Sequence, residues 1–179
     1  MKKILVFVLA MLVGISIYIP FSTETACAAS SVKYPLKKTA NITSGFWEYR
    51  STNAKYSDDG YSYTYNHYHT GIDLSYGGIE NDPVYAAMGG KVVVAENGRG
   101  YGKRVMIMTT ISGKKYYFLY AHLNGYNVKP GDIVEKGEKI GKVGNTGISY
   151  GAHLHFEIRL KQNSPGDKKN EYKKWYLDP

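Results

Sequence analysis

Residues 91–123 read KVVVAENGRGYGKRVMIMTTISGKKYYFLYAHL, and this stretch decides the fold class. The runs Lys91–Glu96, Arg104–Thr110 and Lys115–Leu123 are rich in Val, Ile, Thr, Tyr and Phe, side chains that suit a pleated, half-buried surface. Asn97-Gly98 and Ser112-Gly113 stand between them as turn signals. Further short runs follow at Asp132–Glu135, Lys139–Val143 and His153–Leu160, separated by Pro130-Gly131 and Asn145-Thr146-Gly147. No stretch keeps a helical period between these breaks. The expectation is an all-β chain built as an antiparallel sheet sandwich or a small open barrel with long loops. The charged tail Lys161–Pro179 carries Trp175 and Tyr176, which should pack the chain end back on the body.

Outward from this region, the N-terminus has the tripartite form of a secretory signal peptide. Lys2 and Lys3 precede the apolar run Ile4–Ile19, and a polar stretch leads to Ala26-Cys27-Ala28. Cleavage near Ala28 assigns 1–28 to the signal peptide, 29–40 to a short leader and 41–179 to one domain, an ordinary size for a single unit. Cys27 is the sole cysteine, and Glu24 stands where a lipid-modification signal carries a Leu-like residue. The mature chain is then secreted with neither a disulfide nor a thiol nucleophile. Net charge is +8, or +7 once Lys2, Lys3 and Glu24 leave with the signal, which suits an anionic partner such as nucleic acid, a membrane surface or a bacterial wall.

Tyr49–Tyr68 holds six tyrosines, and Tyr61, Tyr63, Tyr65, His67 and His69 fall at a spacing of two. On one extended strand these five point to the same face, either as a surface or core stripe or as a wall beside a site. The five histidines lie in three segments: His67 and His69 before Gly71 and Asp73, His122 in Tyr120-Ala121-His122-Leu123, and His153-Leu154-His155. At i, i+2 in a strand, His153 and His155 share a face while Leu154 turns to the apolar side. Gly71 permits a backbone turn that brings His69 and Asp73 together. Imidazoles plus a carboxylate, without cysteine, make the donor set of a catalytic rather than a structural zinc ion. Glu157 shares the face of His155, either as a general base or, more ordinarily, as a group that orients an imidazole.

His69-x-x-x-Asp73 with His153-x-His155 in Gly144–Ile158 resembles the lysostaphin/LytM-type zinc metalloendopeptidases of bacterial peptidoglycan. The likeness runs from Ile42-Thr43-Ser44-Gly45-Phe46 to the Tyr176–Pro179 tail and includes Val128-Lys129-Pro130-Gly131-Asp132. By that resemblance the fold is a duplicated-hybrid-motif sheet with loops around a zinc groove. His69, Asp73 and His155 then match the ligands of one Zn²⁺, and His122 and His153 match two further catalytic histidines. The resemblance also implies a tyrosine upstream of the first ligand whose hydroxyl serves the oxyanion; Tyr63, at an even offset of six residues before His69, would share the ligand's face of an unbroken strand and is the choice, and Tyr61 and Tyr65 meet the same test. The implied partners are peptidoglycan and anionic wall polymer, not nucleic acid, nor a membrane once the signal is removed, and the implied state is a wall-associated monomer. A catalytically silent wall-binding scaffold of the same fold is the alternative. Phe46-Trp47-Glu48-Tyr49-Arg50 departs from the family's usual Phe-Gly-x-Arg, and the tyrosine-rich segment is particular to this chain.

Overall fold

The computed structural model describes residues 32–55, 62–163 and 169–179. The expected signal peptide (1–28) and Tyr61 lie outside the described residues, as do the side chains of Tyr63 and Tyr65. Among the described residues no helix is long and apolar enough to cross a membrane.

The runs within 91–123 form three consecutive antiparallel strands: β6 (Gly90–Gly98), β7 (Gly102–Ile111) and β8 (Lys114–Tyr126). Short turns between alternating strands make this meander the local choice. Around it lie β1 (Asn41–Ser44), β4 (Ile72–Ser75), β9 (Ile133–Val134) and β11 (Leu154–Arg159), in the order β1-β4-β11-β8-β7-β6-β9. β10 (Lys139–Val143) pairs with β8 and with β5 (Pro83–Tyr85), and β12 (Tyr176–Leu177) pairs with β11. The result is one open, antiparallel ten-stranded sheet. A separate two-stranded hairpin holds β2 (Tyr49–Lys55) and β3 (Ser62–Tyr68).

One face of the sheet covers the core: Val92, Val105, Ile107, Phe118, Tyr120, Leu154 and Phe156 are all buried there. Leu154, as its alternation with two histidines requires, is wholly buried, and shortening it to Ala should cost about 2–5 kcal/mol. The tail packs as its aromatics suggest. Tyr176 is buried opposite Arg159, with its ring 5.3 Å from that of Trp47. The described part of the 29–40 leader is also attached to the body. Leu36 is buried and bridges Val84, and Lys33 N–H donates to Ala87 O at 2.9 Å. The physical reason is Leu36 itself, an aliphatic side chain that a mostly polar segment delivers to the core.

Candidate metal centre

Three elements converge at one edge of the core. Asp73 on β4 and His155 on β11 are direct cross-strand neighbours. The β2–β3 hairpin delivers His69, because its ladder continues beyond Tyr68: His69 N–H donates to Glu48 O (2.8 Å) and Trp47 N–H to His69 O (2.6 Å). The chain bends at Gly71 between β3 and β4, and close approach is a second reason for glycine there. Its φ is not left-handed; a Cβ there would lie 2.2 Å from the Phe156 carbonyl oxygen, so glycine is required for close approach of the chain to β11.

The three side chains present one donor atom each to a common point. His69 Nε2 lies 3.0 Å from Asp73 Oδ1 and 2.9 Å from His155 Nδ1, and the last two are 2.9 Å apart. All three residues are buried. Tetrahedral zinc with ligands near 2.0–2.1 Å places neighbouring donor atoms about 3.3 Å apart, so the triangle fits such an ion after a small expansion. Each imidazole is anchored behind: His69 Nδ1–H donates to Gly45 O (2.7 Å) and His155 Nε2–H to Glu157 Oε1 (2.8 Å). The nitrogens facing the centre are thereby left as the donors to a cation.

Electrostatics favour a cation there. Burial alone would raise the Asp73 carboxyl, but the imidazoles of His155 and His69 close against it hold it well below the usual carboxylate range. Arg50 Nη1 approaches its other oxygen at 3.4 Å. Burial likewise opposes charge on His155, yet its bonds to Asp73 and Glu157 win and raise it to about 9. Burial lowers His69 despite its bond to Asp73. Without an ion, the proton on His155 therefore supplies the positive charge between two buried carboxylates, and a metal would take its place.

Two more imidazoles edge this centre. His122 sits at a bulge in β8 with left-handed backbone (φ 58°). Its N–H donates to Tyr101 O (2.9 Å) and its Nδ1–H to Thr146 O (2.8 Å). Burial, then the neighbouring His155 and His153, push its pKa down to about 3, so it remains a neutral acceptor. His153 Nδ1–H donates to Gly151 O (2.8 Å), and its Nε2 lies 3.5 Å from Asp73 Oδ1. The rings of His122 and His153 are 4.7 Å apart, centroid to centroid. Five of the six residues given ligand or catalytic roles by the resemblance thus share one site. The sixth, Tyr63, stands opposite Ala54 in the hairpin register. His67 stands opposite Arg50 in that hairpin and is not among the clustered metal donors.

Glu157 takes the orienting position and is wholly buried. Burial would raise its pKa, but Arg159 and His155 hold it well below the ordinary range. Thr70, Tyr101 and Arg159 bond the same carboxylate and were not singled out from the sequence. Arg159 had a readable signal, since it continues the His155, Glu157 alternation along β11; Thr70 and Tyr101 arrive from distant segments.

Comparison with known proteins agrees with this geometry. An uncharacterized metalloprotease of Haemophilus influenzae is 36% identical over 129 residues, 72% of this chain and 24% of its own length. The peptidoglycan DD-endopeptidase ShyA of Vibrio cholerae is 41% identical over 79 residues, 44% of this chain and 18% of its own. This chain therefore spans about a quarter or less of these curated relatives. Among solved structures, a zinc-containing peptidase from Vibrio cholerae matches with a TM-score of 0.53 and 32% identity over 72% of this chain and 36% of that one. The catalytic domain of the antimicrobial peptidase lysostaphin from Staphylococcus simulans matches with a TM-score of 0.59 and 28% identity over 78% and 89%. The profile of peptidase family M23 matches residues 59–168, a span that reaches from the β2–β3 hairpin past β11 and so contains every histidine of the cluster; the chain belongs to that family.

Proposed function

We propose that this chain is a secreted, monomeric zinc endopeptidase that hydrolyses amide bonds in bacterial peptidoglycan, in a cross-bridge or a stem peptide. The observation that carries this reading is the buried triangle of His69 Nε2, Asp73 Oδ1 and His155 Nδ1, with donor atoms 2.9–3.0 Å apart and a fixed partner behind each imidazole. These three residues would hold one Zn²⁺. When bound, the ion supplies a Lewis acid that polarises the scissile carbonyl and acidifies a water.

The remaining work falls to the chain's own groups. With their Nδ1–H groups held by backbone carbonyls, His122 and His153 keep Nε2 for proton transfer. Between them they accept a proton from the attacking water and return one to the leaving amine. Tyr63, on β3, which leads into His69, provides a phenol to the developing oxyanion. The basic chain (+8 overall) favours encounter with anionic wall polymer after the 1–28 signal is removed. A silent scaffold is disfavoured by the joint presence of all three metal donors and both additional histidines.

The test is digestion of purified peptidoglycans of known cross-bridge type by the zinc-loaded protein, with the new amino termini identified by mass spectrometry. New peptide amino termini that vanish with chelator support the reading. Wall binding without any new terminus contradicts it.

A further inference from the structure

Tyr101 lies where the turn between β6 and β7 meets both halves of the site. Tyr101 is half-buried, and its phenol donates to Glu157 Oε1 (2.8 Å) while accepting from Arg159 Nη2 (3.0 Å). The same Oε1 receives His155 Nε2–H (2.8 Å) and the Thr70 hydroxyl (2.5 Å). Arg159 Nε donates to the other oxygen, Oε2. A carboxylate bound from four directions cannot rotate, and His155 inherits its ring orientation and tautomer from it.

The main chain of the same residue faces the other half. Tyr101 O accepts the N–H of His122, the bond that holds the left-handed bulge. Neighbouring atoms of the turn clamp the loop that leads to His153: Ile148 N–H donates to Gly100 O (2.8 Å) and Lys103 N–H to Thr146 Oγ1 (3.0 Å). The packing leaves no slack, since a Cβ on Gly147 would lie 2.3 Å from Gly102 N.

We propose that Tyr101 is a positioning residue that sets both faces of the centre: its hydroxyl locks the Glu157 carboxylate behind the ligand His155, and its carbonyl places His122. The hydroxyl acts on the metal only through Glu157, so its loss and the loss of the Glu157 charge are one event seen twice. This inference rests on the metal reading above.

The experiment is a double-mutant cycle in the full chain, read by zinc affinity in competition with a chelator of known strength. Tyr101→Phe keeps the ring and the carbonyl and removes the hydroxyl alone. It should weaken zinc several-fold, at or below the low end of the about 10- to 100-fold usual for the partner directly behind a ligand, which is Glu157. In a Glu157→Gln background the same substitution should cause less than a twofold further loss. The visible absorption of the cobalt-substituted protein should change in Tyr101→Phe and not change further in the double variant. Should Tyr101→Phe not fold, Tyr101→Phe/Arg159→Met removes the stranded guanidinium too and is compared with Arg159→Met alone; it should bind zinc more weakly. Wild-type zinc affinity in Tyr101→Phe, or losses that multiply in the double variant, overturn the inference while the metal reading stands. Absence of zinc binding by the wild-type chain overturns both.

Discussion

Metal binding should expel one proton from His155. In the metal-free protein this ring is bonded on both sides by carboxylates, Asp73 at 2.9 Å and Glu157 at 2.8 Å, and its pKa stands at about 9. A metal ion needs the lone pair of Nδ1, so the proton there must leave. At pH 7, two units below that value, the displacement costs about 2.7 kcal/mol, and the apparent affinity falls about 100-fold below its alkaline limit. Between pH 6 and 8.5 the logarithm of the affinity should rise by about one per pH unit. His69 contributes nothing to this slope, because its pKa is lowered and the ring is neutral over most of the range. Isothermal titration calorimetry at pH 6, in buffers of different ionisation enthalpy, counts the proton below the range where a metal-acidified water ionises. The same proton stabilises the metal-free fold. A folded value of about 9 exceeds the ordinary 6.5, so the contribution, on the order of 3 kcal/mol, is complete below about pH 6.5 and is lost as pH rises through 9. Thermal melts of the metal-free protein should show that decline, and melts of the zinc-loaded protein should not. Affinity that is flat from pH 6 to 8.5 with no proton released would mean that the metal displaces no proton from His155.

His122→Ala and His153→Ala should each keep zinc bound while lowering turnover by roughly 10²–10⁴-fold; loss of metal in either would place that residue among the ligands. Tyr63→Phe should retain zinc and fold but lose about 2–4 kcal/mol of transition-state stabilisation, read as a drop in kcat; a silent substitution returns the stripe to a structural role. Binding to intact walls should weaken as salt screens the basic surface over a Debye length of ~8–10 Å, with much less effect on cleavage of a short soluble peptide. Equal sensitivity of both would locate the salt effect in the active site.

The strands within 91–123 were legible because their cause is local: β-branched and aromatic runs with turn dipeptides between them. The shared face of His153 and His155 was legible for a similar reason, since a period of two needs no knowledge of neighbouring strands. Pairing was less so. Nothing local shows that β11 lies between β4 and β8, which is what makes His155 a neighbour of Asp73. The bend at Gly71 was legible from the glycine itself, but its close approach to the Phe156 carbonyl was not, since that depends on where β11 lies. Tyr101 gave no signal, one tyrosine among 18, because its partners Glu157 and Arg159 are more than fifty residues away. The left-handed backbone of His122 was equally hidden, since it depends on a bulge where β7 and β10 both pair with β8.

Cleavage of peptidoglycan should depend on one zinc ion held by His69, Asp73 and His155. Zinc content and release of new amino groups from peptidoglycan, measured together as the chelator-stripped chain is titrated with Zn²⁺, test it most directly, with Asp73→Ala run alongside. Activity should rise linearly and saturate at one equivalent in the wild type, with neither stoichiometric zinc nor cleavage in Asp73→Ala. Cleavage by the stripped protein, or a full equivalent of tightly bound zinc in Asp73→Ala, would contradict it.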